Sequence, residues 1–468
     1  MIFSRMFGLV AGCALLAPST GMAQWTPPTE IGGDRIKALS DQVLAMPDIP
    51  IREDLDITRI RALDLEWDIA GMVYQPKDAT RIPTGPDGRK IGIFILHGGS
   101  GDYRAREDMG RLLASKLGFK VVIMNYPGRL YVHDPSHRWP GDTINPDGTV
   151  RLPIWHRDRP ITHDQYTVVT NRDEDIQRRY GTVFLACARD KTEFYDRMAA
   201  WPVAFEDGGK ELMRRHLPDG EYSIYIHGHS TGGPFSFMFS QRVANIVGVV
   251  GIENTPFGYL HGEMMTKKLK ISPTWDIPFN CLRIRTWRDT TRHLGAEALN
   301  KQGPDALLQL GRLMDHVFET WDKAKSHAQF KAESTIHFNG LGPLIDGARA
   351  AAGRLNLSAE DTERLVGRFV GYTRELAGRG VKPVPPALLL ISKTSPDHRM
   401  EYYKDIYLPM FAAMKPAPKV HVVQLDLGTH FYSDPEEGLP RGVGAAVVKV
   451  WHEAIMGGYY VKDLKHSK

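Results

Sequence analysis

Short, continuous runs of Val, Ile and Leu recur along this chain at 91–96, 120–124, 222–226, 246–252, 387–391 and 420–425. Runs of that length without polar alternation suit strands covered on both faces, as in a parallel sheet. Parallel neighbours need crossover connections, and helical stretches between several of the runs provide them. The expected class is α/β, with a mostly parallel central sheet flanked by helices. Segments 63–67 and 70–74 are expected to add an antiparallel edge.

Two stretches break the rhythm. Residues from about 129 to 175 form an excursion rich in Pro, His, Asp and Gly, too irregular for a core and expected to fold over one end of the sheet. Residues 254–384 read as a helical cap inserted between two sheet strands. Leu307, Leu310, Met314, Val317 and Trp321 share one helix face, and Ser358 with Asp361 opens a second helix carrying Leu365, Phe369, Tyr372 and Leu376. The core is thus expected in two parts, 24–253 and 385–468.

At the N-terminus, Arg5 precedes the apolar stretch 6–17, and the small residues around Gly21 and Ala23 resemble a cleavage point. Such a segment is too short for a convincing span and predicts a signal peptide over 1–23, hence a secreted or periplasmic protein. Cys13 lies in a weaker resemblance to a lipoprotein box. Removal of the signal would leave Cys187 and Cys281, whose pairing the sequence does not decide. The 468 residues are 24% charged with a formal net charge of +4 and no basic stripe, which gives no case for a nucleic-acid partner. No later segment has the apolar length of a membrane span, and the oligomeric state is not legible.

The chemistry gathers at run ends. Gly228-His229-Ser230-Thr231-Gly232 follows the run 222–226 and precedes a helical stretch in which Pro234 suits the first turn. Glycines at those positions permit a sharp strand-to-helix turn that lifts the Ser230 hydroxyl to the sheet edge. His97-Gly98-Gly99-Ser100 follows the run 91–96, and its glycines let the backbone approach a substrate. Backbone N–H groups of Gly98 or Gly99, with that of Thr231, are candidate oxyanion donors. A serine nucleophile needs a base and the base needs an orienting acid. His430 follows the run 420–425 and Asp397 follows 387–391, so both fall on the edge that carries Ser230. Glu253, directly after 246–252, is the alternative acid. His229 is expected to be structural, while His398 and His452 are lesser candidates for the base. His133, Asp134, His137, Asp142, His156 and His163 cluster in the excursion without ligand spacing, so no metal is expected. Neither a Gly-x-Gly-x-x-Gly nor a Walker pattern is present, and no cofactor is expected.

The serine turn, the acid and the histidine in this chain order resemble the α/β-hydrolase superfamily across about half of the chain. That resemblance implies the α/β-hydrolase fold, with Ser230, Asp397 and His430 as triad and Gly98, Gly99 and Thr231 as oxyanion hole. It also implies a carboxylic ester hydrolase acting on a small-molecule or polymeric ester. An amidase, lactonase or acyltransferase would use the same triad, and a binding protein on this fold is the non-catalytic alternative. If His430 is the base, the rate should fall below about pH 6 to 7 as the imidazole protonates.

Overall fold

The computed structural model describes residues 25–62, 65–98, 102–128, 155–156, 158–159, 161–170, 184–189, 192–230, 232–254, 281–283, 382–395, 400, 403–404, 408–413 and 416–461. The expected signal peptide, the helices expected at 307–321 and 358–376, and Gly99, Thr231, Asp397 and His398 lie outside them. So do His133, Asp134, His137 and Asp142.

In chain order the elements are β1 (Glu30–Ile31), α1 (Gly33–Leu44), β2 (Ile51–Ala62), β3 (Leu65–Pro76), β4 (Lys90–Leu96), α2 (Glu107–Leu117) and β5 (Lys120–Asn125). There follow β6 (Tyr166–Thr170), β7 (Phe184–Ala188), α3 (Glu193–His216), β8 (Tyr222–Gly228), α4 (Gly232–Arg242), β9 (Ile246–Ile252) and β10 (Cys281–Arg283). The chain then forms β11 (Ala387–Ser392), α5 (Leu408–Ala413), β12 (Val420–Leu425) and α6 (Gly444–Met456). Among the described residues, nine strands form one sheet in the order β1-β12-β11-β9-β8-β4-β5-β3-β2. Neighbours from β1 to β5 run parallel, and the β2–β3 hairpin adds the antiparallel edge. A second, antiparallel sheet has the order β10-β7-β6.

The six apolar runs are the centre of the large sheet for a simple reason. In β4, Ile91, Ile93 and Ile95 join one buried cluster with α1, α2 and α6, while Phe94, on the opposite face, meets Phe239 of α4 at 6.1 Å between ring centroids. Both faces are therefore covered, and each buried Ile, Val or Phe contributes roughly 1.5–3 kcal/mol relative to exposure. The edge strand β2 is different. It carries Arg52, Glu53, Asp54, Asp56, Arg59 and Arg61, and its Leu55 and Ile57 remain 39% and 44% exposed. A charged edge resists pairing with another chain, and the same charges hide the strand from an apolar-run reading. The edge expected at 63–67 and 70–74 is in fact a hairpin of two long strands, paired from Ile51 with Pro76 to Ala62 with Leu65.

The excursion also differs from expectation where it is described. Trp155, expected to lie in a stretch unfit for the core, is 1% exposed and meets Trp67 edge-on at 5.3 Å. Its carbonyl accepts a 3.1 Å bond from Asp68 N. Ala70 of β3 pairs with Asn125, the last residue of β5, so Asp68 stands at the carboxyl edge of the parallel strands. An apolar residue among Pro, Asp and Gly is thus drawn in by one large ring. No helix among the described residues is long and apolar enough to cross a membrane.

Candidate active site

Ser230 sits on the turn between β8 and α4 with φ of 50°, a left-handed conformation unfavourable to a residue bearing Cβ. Backbone bonds hold it there. Ser230 N donates to Glu253 O at 2.8 Å, His229 N to Leu96 O at 3.0 Å, and Gly232 N to His229 O at 2.8 Å. The glycines are required by close approach: a Cβ on Gly228 would collide with the backbone of Gly232, and one on Gly232 would lie 2.8 Å from His97 O. This is the sharp turn expected of the pentapeptide, with the serine 7% exposed at the sheet edge.

The loop after β4 approaches the turn from the side. A Cβ on Gly98 would lie 2.8 Å from His229 Nδ1, so only glycine fits. His97 Nδ1 lies 2.8 Å from Gly98 O, Tyr126 stacks on the His97 ring at 3.8 Å, and the Tyr126 hydroxyl donates to His97 O at 2.6 Å. At the far end of the loop, the Asp102 carboxylate accepts from Arg104 N at 2.7 Å, and Tyr103 N donates to Asn125 Oδ1 at 2.9 Å. The residues flanking the candidate oxyanion positions are therefore held on both sides, with Gly98 described and Gly99 and Thr231 outside the described residues.

The carboxylate facing His430 is that of Glu253. The residue follows β9 directly, at φ 49°, and its fully buried carboxylate lies 3.4 Å from His430 Nδ1. Ser392 N donates to Glu253 Oε1 at 2.7 Å and the Ser395 hydroxyl donates to Oε2 at 2.7 Å. These two donors fix the carboxylate in place, with Oε2 opposite the His430 ring. The carboxylate favours the Nδ1–H tautomer of His430, which leaves Nε2 as an acceptor. The sequence ranked Asp397 ahead of Glu253; Asp397 is outside the described residues, and the place beside Nδ1 is taken by the alternative.

Glu253 has two functions in one residue, since its carbonyl receives Ser230 N while its carboxylate faces His430. Asn254 completes the support: its side-chain amide donates to Gly228 O at 2.8 Å, and its carbonyl accepts from Tyr403 at 2.5 Å.

His229 links Arg106 to the His430 backbone. Its Nε2 lies 2.8 Å from His430 O and its Nδ1 lies 2.7 Å from Arg106 Nη2. Arginine has only donors, so Nδ1 must accept and Nε2 must carry the proton that bonds the His430 carbonyl. Burial, with the Arg106 charge and then His430 beside it, holds the His229 pKa well below the ordinary histidine range, consistent with that neutral form. Arg106 is itself 4% exposed and stacks over the Tyr432 ring at 4.6 Å. No motif marks Arg106, Asn254, Ser392 or Ser395 in the sequence. The available signal was positional, because each follows closely on a buried run or the loop behind it.

The remaining candidates lie elsewhere. His452 is within α6, stacked near Phe119 at 6.0 Å. His156 lies 3.4 Å from the Glu66 carboxylate, and His163 lies 2.8 Å from the Tyr166 hydroxyl. Among the described residues no group of His, Cys, Asp and Glu is arranged to hold a metal ion.

The sequence matches no family profile and no curated protein. Among solved structures it is similar to the acylaminoacyl peptidase of Pyrococcus horikoshii, at 11% identity and TM-score 0.37, covering 89% of this chain but only 42% of that one. It is similar to a peroxisomal alpha-beta-hydrolase of Saccharomyces cerevisiae at 12% identity and TM-score 0.37, covering 89% and 92% of the two chains. An esterase of Pyrococcus furiosus matches at 12% identity and TM-score 0.35, covering 93% and 98%. The chain therefore spans well under half the length of the peptidase. Its own strand order, with Ser230 on the turn after β8, Glu253 directly after β9 and His430 following β12, gives it the α/β-hydrolase fold.

Proposed function

We propose that the protein is an exported serine hydrolase that cleaves a carboxylic ester of a small or polymeric substrate. The observation that supports this reading most is the Glu253–His430 pair, with Glu253 also accepting through its carbonyl from N of Ser230, which is held at φ 50°. In the proposed cycle His430 Nε2 takes the Ser230 proton as the oxygen attacks the ester carbonyl. Glu253 stabilises the resulting imidazolium, and backbone N–H groups at Gly98, Gly99 and Thr231 receive the oxyanion. His430 returns the proton to the leaving alcohol, and water, deprotonated by the same imidazole, releases the acyl group. Phe431, 51% exposed with its ring 5.2 Å from that of His430, offers an apolar wall for the acyl or alcohol portion. The segment 1–23 supplies the export part of the proposal.

The test is active-site labelling with a fluorophosphonate. The wild type should be labelled on the tryptic peptide containing Ser230, and Ser230→Ala should lose both label and ester hydrolysis. An unlabelled wild type, or a Ser230→Ala variant that keeps its hydrolysis, would remove the reading.

A further inference from the structure

The small antiparallel sheet joins distant parts of the chain. β6 closes the excursion after Tyr126, and β10 belongs to the insertion between β9 and β11. β7 lies between them, and its register on β10 pairs Cys281 with Cys187, Leu282 with Ala186 and Arg283 with Leu185. The two cysteines that remain if the signal segment is removed are thus direct cross-strand partners. Partners of this kind share a face of the sheet, with Cα atoms about 4.5–5.5 Å apart in any antiparallel ladder. A disulfide spans Cα separations of about 4.4–6.8 Å, so the ladder itself supplies the spacing that the bond requires.

From this register we infer that Cys187 and Cys281 form a disulfide that fastens the insertion to β7, the strand paired with β6 at the close of the excursion. Its formation oxidises two thiols: the sulfurs join, and two electrons and two protons pass to a disulfide-bearing oxidant, which is reduced to its own dithiol or to two thiols. Thiol–disulfide oxidoreductases of an oxidising compartment are such oxidants, and glutathione disulfide serves in vitro. The inference is independent of the serine-hydrolase reading.

The bond is tested on the full chain, reduced and unfolded, then refolded in a glutathione buffer containing glutathione disulfide. Free thiols are blocked with iodoacetamide before digestion without reductant. Trypsin releases Cys187 in the peptide 180–189 and Cys281 in 271–283. The expected product is these two peptides joined, separating on reduction with a gain of two hydrogens. Oxidised wild type should also melt on the order of 5 to 10 °C above both its reduced form and a Cys187→Ser, Cys281→Ser variant. Recovery of both cysteines fully alkylated, or only as separate glutathione adducts, would overturn the inference. The double variant has no thiol at either position, so a redox-dependent melting shift that persists in it would also count against this bond.

Discussion

β9 and β11 lie side by side in the large sheet and reach the same edge, yet they end differently. β9 is followed directly by Glu253, whose positive φ turns the chain so that its carboxylate faces His430. β11 runs into a turn whose Ser392 N–H and Ser395 hydroxyl both donate to that same carboxylate. One strand end supplies the charge and its neighbour supplies the donors that fix it. Equivalent position after a buried strand therefore does not confer equivalent chemistry. The difference is made by a single backbone conformation and by the direction in which donors point.

Exchange at the two ends breaks this comparison most directly. Glu253→Gln preserves shape and removes the charge, so kcat should fall by about 10³-fold or more, as expected when a triad histidine loses its orienting acid. Asp397→Asn should remain within about threefold of wild type, since the place beside His430 Nδ1 is filled by Glu253. Steady-state rates for both variants on one ester decide the matter. A severe loss at Asp397 with little at Glu253 would exchange the roles of the two strand ends.

The next effect concerns β8, the strand on the other side of β9, whose following turn carries His229. If the Arg106–His229–His430 chain positions the base, His229→Phe should lower kcat by about 10- to 100-fold with little change in KM, the cost of one hydrogen bond within a charged network. His229→Gln has an oxygen to accept from Arg106 and an amide to donate to the His430 carbonyl, and should recover most of that loss. Thermal melts of both variants separate positioning from folding. Equal rates in the Phe and Gln variants would show that the contact only fills space.

Much of this frame was legible because its signals are local. Runs 91–96, 120–124, 222–226, 246–252, 387–391 and 420–425 carry their burial in composition, and all six are strands within two residues at either end. The Ser230 turn was legible because glycine is required at fixed positions around it. β2 was missed because its charges protect an exposed edge, and β6 and β10 because short strands of a small sheet carry little apolar signature; β7, Phe184–Ala188, is apolar throughout but is poor in the Val, Ile and Leu that mark the other runs. The acid was harder for a different reason. Glu253 and His430 are 177 positions apart, and Asp397 satisfies the same rule of order. What sets the Glu253 carboxylate against His430 is φ at residue 253 and donors from residues 392 and 395, neither of which composition or spacing encodes.

The smallest effect separates the histidine assigned to react from those that only support it. His227 at the end of β8 is fully buried, its Nδ1 is 3.0 Å from Val250 O, and burial with the Arg106 charge lowers its pKa to about 3. An unfolded histidine titrates near 6.5, so between these limits the unfolded chain binds a proton that the folded chain refuses. The stabilising contribution of neutral His227 is complete above about pH 6.5 and is lost as pH falls toward 3, at up to about 1.4 kcal/mol per pH unit. His229 acts in the same direction, because its folded pKa is also depressed. His227→Phe keeps a ring beside Trp451, 4.9 Å away, and gives up the bond to Val250. At pH 7 the variant should therefore be less stable by about 1 kcal/mol. On acidification the gap should close and then reverse, because the variant no longer carries that proton penalty. Denaturant unfolding at pH 7, 5 and 4 tests this ordering, and parallel stability curves for the two proteins would show that His227 is not the group excluding the proton.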